Sequence, residues 1–178
     1  MTANKSNSGT VLIVDDTPAN IAVLFNYLNG NGYTGLVACD GSSAIEQARY
    51  ARPDLILLDI IMPGMNGFET CQRLKADTKT RDLPVIFLSA LSETIDKVRG
   101  FKLGAVDFVN KPFKEEELLA RVHSHVTLNR LQKRLKEKNS DFRHEINQRE
   151  QLENAMRLVV ETTARGSRLR CRGIWREC

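Results

Sequence analysis

Four short apolar runs in this chain each end on a residue suited to chemistry. Val11-Leu12-Ile13-Val14 leads into Asp15-Asp16, and Leu55-Ile56-Leu57-Leu58 leads into Asp59. Val85-Ile86-Phe87-Leu88 leads into Ser89, and Val106-Asp107-Phe108-Val109 leads into Asn110-Lys111-Pro112. Apolar runs of this length, bounded by turn residues, read as strands. Amphipathic segments of helical period separate them, and strictly alternating strands and helices imply a parallel sheet covered on both faces. The expected fold is therefore α/β, a doubly wound five-stranded parallel sheet. The carboxyl ends of such strands lie along one edge, where ligands bind. Three carboxylates, a hydroxyl and an ammonium should meet there, a set suited to a divalent cation and a phosphoryl group.

Local signals supply the remaining elements. Pro18 suits the first turn of a helix running to about Leu28, where Asn29-Gly30-Asn31-Gly32 stops it. Tyr33 to Ala38 is the second strand, and Asp40-Gly41-Ser42 starts a helix over Ser43 to Tyr50. Met62-Pro63-Gly64-Met65-Asn66-Gly67 is a loop rich in helix and strand breakers, followed by a helix over Phe68 to Ala76. Leu83-Pro84 opens strand four, Ser92-Glu93 opens helix four, and a fifth strand occupies 106–109. Strands three and four are uninterrupted apolar runs, as strands buried on both sides are.

The fifth helix, starting near Lys114, lacks a stop signal, since no Gly or Pro occurs between Pro112 and Gly166. A heptad begins at Leu128. Leu128, Leu135, Phe142, Arg149 and Met156 occupy position a, and Leu131, Lys138, Glu145, Leu152 and Val159 occupy position d. Seven of these ten seam positions are apolar. A segment of this kind, about 33 residues and ~50 Å long as a helix, is polar elsewhere and cannot bury its own seam. A coiled coil with a second copy buries it; a solvated, fraying helix is the alternative. Lys138, Glu145 and Arg149 weaken the seam, which suits a connector that changes state.

The net charge of +4 belongs to the tail. Arg165, Arg168, Arg170, Arg172 and Arg176 against Glu177 sum to +4, so residues 1 to 164 are neutral. The basic balance therefore does not argue for nucleic-acid binding by the folded body. Residues 163–178 form a basic tail that breaks the heptad, expected to be vector-encoded or out-of-frame sequence, with an anionic-partner peptide as the alternative. Residues 1–9 are a polar, disordered lead-in without the apolar core of a signal peptide. No apolar run reaches the ~20 residues of a membrane span. Four cysteines without metal-type spacing suit a reducing compartment, and cytoplasm is the expected location.

Taken together, Val14-Asp15-Asp16, Leu58-Asp59 with Met62-Pro63-Gly64, Leu88-Ser89-Ala90 and Asn110-Lys111-Pro112-Phe113 resemble the receiver domain of two-component response regulators. The resemblance covers roughly residues 9 to 127, and four blocks in this order make it specific. It implies a flavodoxin-like receiver over 10–127, followed by a coiled-coil signalling helix over 128–162. It makes Asp59 the phosphoacceptor. Asp16 becomes a direct Mg²⁺ ligand, Asp15 a ligand mainly through water, and the backbone carbonyl of Ile61 a third protein ligand. Ser89 would hydrogen-bond the phosphoryl group and Lys111 would pair with it. Receivers commonly have a cis peptide where Lys111-Pro112 stands. Ser89 and Phe108 would form the switch, although a plain core phenylalanine is the alternative at Phe108. The output face would be helix four, strand five and helix five.

Elementary electrostatics agrees with these roles. A carboxylate and a phosphoryl group repel each other, and a hard dication bridging them removes the repulsion. Clustered carboxylates raise at least one pKa, and Lys111 is a compact balancing cation. Ala90 leaves room for a donor. Ile61 and Leu91 flank the acceptor and cannot hydrogen-bond an attacking water, so self-dephosphorylation should be slow, nearer hours than seconds. Taken singly, each residue also has a structural reading: aspartates and serines cap helices, and lysine is common before proline.

The expected function is a phosphorylation-dependent regulator. It would take its phosphoryl group from a sensor histidine kinase or phosphotransfer protein and pass the state through helix five, as a homodimer, to an effector outside this chain. A stand-alone protein–protein interaction regulator is the alternative. An enzyme such as a haloacid-dehalogenase-type phosphatase also uses an Asp nucleophile with Mg²⁺, but that family carries a second Asp two residues on, where Ile61 stands here. Neither membrane insertion nor DNA binding is expected of the receiver. His144-Glu145-Ile146 resembles the phosphorylated motif of sensor kinases, yet Asn147-Gln148-Arg149 follows instead of Arg-Thr-Pro. His123 and His125 lie two apart on a helix and do not share a face.

Overall fold

The computed structural model describes residues 8–90 and 94–173, and side chains within 8–90 and 98–157. Of the lead-in expected at 1–9, residues 1–7 lie outside the described residues, as do the helix start at Ser92-Glu93, Leu91 and the end of the tail from 174, while Gly9 already belongs to the first strand.

Among the described residues ten elements alternate: β1 (Gly9–Val14), α1 (Pro18–Gly30), β2 (Tyr33–Ala38), α2 (Gly41–Ala51), β3 (Leu55–Asp59), α3 (Gly67–Ala76), β4 (Val85–Ser89), α4 (Thr94–Lys102), β5 (Asp107–Asn110) and α5 (Glu115–Gly173). The strands form one sheet in the order β2-β1-β3-β4-β5, and every neighbouring pair is parallel. This is the doubly wound five-stranded flavodoxin-like topology expected of the sequence.

Successive strand residues face opposite sides, and the burial divides accordingly. Leu12, Val14, Ile56, Leu58, Val85, Phe87 and Phe108 pack on the side of α2 and α3. Val11, Ile13, Leu55, Leu57, Ile86, Leu88 and Val109 pack with Leu24 and Leu28 of α1 and with Leu118, Val122 and Val126 of α5. Both faces being covered, β3 and β4 are buried at every position.

Element ends differ from the sequence-based expectation by one or two residues, for local reasons. Helix α2 begins at Gly41 rather than Ser43, because the Asp40 side chain caps it by accepting from the Ser43 N–H at 2.9 Å. Helix α1 runs on to Gly30, where the Asn31 N–H bonds back to the Leu28 carbonyl. Strand β5 starts at Asp107, not Val106, and includes Asn110 through its pairing with Ser89. Helix α5 is the exception, continuing to Gly173, well past the end at 162 expected for the connector.

The chain divides into two compact units, one through Leu131 and one from Gln132. Within the first, ion pairs fasten α5 to the sheet. Arg121 holds both oxygens of Asp107 at 2.7 and 2.8 Å, and His125 Nε2 lies 3.2 Å from the same carboxylate. Asn129 donates to the Asp54 carbonyl at 2.7 Å, and Arg130 pairs with its carboxylate at 3.1 Å. Histidines 123 and 125 thus go to separate partners, His123 to the Tyr33 hydroxyl at 3.2 Å. In the second unit, Leu135, Phe142, Leu152 and Met156 are all exposed, as are Leu128 and Leu131 just before it. Val159 lies outside the described side chains. Among the described residues, no helix is long and apolar enough to cross a membrane.

The core also sets cysteine chemistry. Cys71 of α3 is fully buried, and desolvation pushes its thiol up to about 11, whereas Cys39 is exposed. Because the thiolate is the reactive form, iodoacetamide at mildly alkaline pH should label Cys39 at least about 100-fold faster than Cys71. Peptide mass mapping reads this directly. Equal rates in folded protein would contradict the packing of α3.

Candidate functional site

The strand order reverses direction between β1 and β3, and in such sheets ligands bind at the carboxyl ends of the strands flanking this point. Asp15 and Asp16 follow β1, while Asp59 is the last residue of β3. Parallel pairing of β1 with β3 in register, Val14 beside Leu58, brings these acids together. One carboxylate oxygen from each of Asp15, Asp16 and Asp59 lies within 4.8 Å of the others. Asp15 and Asp59 are buried, and Asp16 is exposed at the mouth.

Lys111 supplies the counter-charge. It follows β5, and the Lys111–Pro112 peptide is cis, as expected. Its Nζ lies 2.8 Å from Asp15 Oδ2 and 2.9 Å from Asp59 Oδ2, bridging the two buried carboxylates. These pairs hold the Lys111 ammonium above its usual range, against the opposing effect of burial. Burial pushes the Asp59 carboxyl up, and Lys111 only partly offsets this. The backbone fixes the lysine too, since its N–H donates to the Ser89 carbonyl at 2.8 Å.

Ser89 is buried at the end of β4, beside Asn110 of β5, and Ala90 next to it is exposed. Ile61 is exposed and turns its backbone N–H toward Asp59 Oδ1 at 3.4 Å. The loop holding it is tightly seated. The Gly67 N–H donates to the Ile60 carbonyl at 2.9 Å, and a Cβ on Gly67 would come within 2.2 Å of the Asp59 carbonyl oxygen. Only glycine therefore fits at the start of α3 without moving the Asp59 backbone.

Phe108 is buried, with its ring 5.4 Å from Phe87 and 5.0 Å from Phe101 of α4. Gly100 of α4 makes that position possible, because a Cβ there would meet the Phe108 ring at 2.4 Å. So the structure gathers Asp15, Asp16, Asp59, Ser89 and Lys111 at one edge, with Phe108 one strand over. Leu91 lies outside the described residues.

Four contacts escaped the sequence reading. Asn20 and the Thr17 N–H both bond Asp15, and Asp107 is the hub for Arg121 and His125. The signals were present. Asn20 is the third residue of α1, a position whose side chain reaches back over the helix start. Arg121 and His125 are four apart on one helix face.

The oxygen-only donor set suits a small hard cation such as Mg²⁺. Lys111 already places one positive charge between two of the carboxylates, which balances part of their negative charge.

Comparison with known proteins agrees with this geometry. Residues 11–123 match the response regulator receiver domain. The DNA-binding response regulator MtrA of Mycolicibacterium smegmatis is 44% identical over 119 residues, which are 67% of this chain and 51% of that protein. The response regulator PleD of Caulobacter vibrioides is 43% identical over 117 residues, 66% of this chain and 26% of its own length. The chain thus spans about half of MtrA and about a quarter of PleD. Among solved structures, the receiver domain of the sensor histidine kinase PA1611 from Pseudomonas aeruginosa carries a magnesium ion in its active site cleft. It is 29% identical with a TM-score of 0.63, over 67% of this chain and 98% of that one. A receiver-type sheet, an acidic edge bridged by a lysine and a family match across 11–123 lead to one conclusion: the chain belongs to the response regulator receiver domain family.

Proposed function

We propose that Asp59 accepts a phosphoryl group from a sensor histidine kinase or phosphotransfer protein, and that the phosphorylated state is passed through α5 to an effector outside this chain. The observation that carries this reading is the Lys111 bridge between Asp15 and Asp59 beside a third carboxylate. In the transfer, an Asp59 carboxylate oxygen forms the new P–O bond and the N–P bond of a phosphohistidine breaks. The electron pair stays on the imidazole, which takes a proton from solvent.

Asp15, Asp16, Asp59 and the Ile61 carbonyl would hold Mg²⁺. The ion supplies charge neutralisation between the carboxylate and the incoming phosphoryl group. Lys111 pairs with the phosphoryl oxygens, and the Ser89 hydroxyl donates to them. Exposed Ala90 keeps the approach open. Asp59 is an acceptor rather than a turnover catalyst, in keeping with Ile61 in place of a second acid.

Output follows from packing. Ser89 and Phe108 lie on adjacent strands, so a shift of Ser89 toward the phosphoryl group biases Phe108 between two packings among Phe87, Phe101 and Gly100. Asp107 immediately precedes Phe108 and is clamped by Arg121 and His125, so β5 transmits its movement to α5. We assign 10–127 to the receiver and 128–162 to a homodimeric coiled-coil connector in the cytoplasm, with 163–178 a non-native tail. The exposed seam also favours a second reading, a stand-alone regulator that works by protein–protein contact. MtrA is a DNA-binding protein by name, but here a continuous helix follows the receiver.

Sedimentation velocity in Mg²⁺, with and without beryllofluoride, tests the proposal. A change in mass or shape on adding this phosphoryl mimic, absent in Asp59→Asn, is expected. No response to the mimic in the unmodified chain would overturn the coupling of the site to α5.

A further inference from the structure

The acidic site has an uncharged member, Asn20. Its amide nitrogen lies 3.1 Å from Asp15 Oδ1 and 3.0 Å from Oδ2, so one side chain touches both oxygens. The Thr17 N–H donates to Oδ1 at 2.8 Å, and Lys111 Nζ to Oδ2 at 2.8 Å. Asp15 is wholly buried, so these groups take the place of water around its carboxylate. A carboxylate offers about four lone-pair directions, and these four contacts occupy them.

A dication must displace one of these four contacts, which three groups make. On Oδ2 the choice is between Lys111 and Asn20. Lys111 is the one a dication repels, and it has a second partner in Asp59 at 2.9 Å. Asn20 is neutral and has no reason to leave. Once Lys111 withdraws, a chain lacking Asn20 would hold Asp15 only by the Thr17 N–H, at a single oxygen. The terminal torsion of an aspartate is broad, so a carboxylate held at one oxygen turns easily. Contact with both oxygens fixes its plane.

We propose that Asn20 is a positioning residue that keeps the Asp15 carboxylate in the plane presenting Oδ2 to a divalent cation as Lys111 gives way. This rests on the reading of Asp15, Asp16 and Asp59 as the metal site. Outer partners of metal-site ligands are worth about 10–100-fold in metal affinity, and Asn20 is expected near the lower figure. The position suits the task. As the third residue of α1, Asn20 stands on a helix start whose N-cap, Thr17, makes no side-chain capping bond, so Asp15 draws both Thr17 and Asn20 onto itself.

The test is binding of Mn²⁺, a hard cation with similar ligand preference, to the full chain, followed by loss of the free-ion electron paramagnetic resonance signal. Asn20→Leu keeps the shape and removes the donor, and Asn20→Ala serves if leucine prevents folding. Asp16→Asn, at an exposed ligand, reports on the site itself. Both Asn20 variants should bind Mn²⁺ about 10-fold more weakly, with circular dichroism in chelator showing folded protein. Affinity within about twofold of the unmodified chain, while Asp16→Asn loses binding, would overturn the role of Asn20 and leave the metal site standing. Absence of Mn²⁺ binding by the unmodified chain would overturn both.

Discussion

Phosphoryl uptake is expected to fall by roughly a thousandfold or more in Asp59→Asn, as when a nucleophile is removed. The amide is not a nucleophile towards phosphorus and brings no charge to the cation. Neither neighbouring acid compensates: Asp15 is fully buried under four contacts, and Asp16 lies at the exposed mouth. Incorporation of labelled phosphate from a small acyl phosphate measures this without a cognate kinase. Uptake by the variant at the unmodified level would place the acceptor elsewhere.

The same substitution carries a stability signature whose sign follows from burial. Asp59 has its pKa raised in the folded chain, so the folded state holds that proton more tightly than the unfolded state does. Stability is then lost as pH rises from the ordinary carboxyl pKa of about 4 through the raised folded value. At neutral pH the ionised Asp59 is therefore a cost, and Asp59→Asn should melt at or above the temperature of the unmodified chain. The difference should shrink as pH falls toward that ordinary value. Lys111 retains Asp15 as partner in the variant, which limits the loss on its side. A variant markedly less stable at neutral pH would mean that the Lys111 pair outweighs the burial of the charge.

Leu135→Glu combined with Phe142→Glu is expected to convert a dimer into a monomer. Both side chains are exposed in the single chain and lie on the same heptad stripe. Burying such a side chain contributes about 2 kcal/mol, so four of them across two copies contribute roughly 8 kcal/mol. Placing four carboxylates on the seam removes that and adds repulsion. Glu145 and Arg149 pair with each other at 3.2 Å along the stripe, so the proposed interface would already carry charge and two more per chain should break it. Sedimentation velocity should show half the mass, with phosphoryl uptake at Asp59 unchanged. A variant that stays dimeric would move the interface off the heptad, and an unmodified chain that is monomeric would remove the coiled coil altogether.

Most of the receiver was legible in the sequence because its signals are local. Runs such as Leu55–Leu58 are too short for a helix and are bounded by turn residues, so they read as strands buried on both faces, and the breakers at Gly30 and Pro63 separate the elements. The acids at strand ends were legible for the same reason: strand period and parallel order put Asp15 and Asp59 on one edge. Element ends were less so, because Asp40 and Asn66 cap their helices through side-chain bonds that shift the first helical residue.

The sequence by itself determined the sheet, the five residues at its edge and the heptad stripe, all of which follow from periodicity and position along the chain. Only the tertiary structure decided how those residues are paired. That Lys111 bridges Asp15 and Asp59 and that Gly100 admits the Phe108 ring depend on distances between segments up to 96 residues apart. Such pairings arise where packed elements meet, and no local pattern encodes them. Burial then decides their strength, since a carboxylate removed from water must be answered by whichever donors the fold brings within reach.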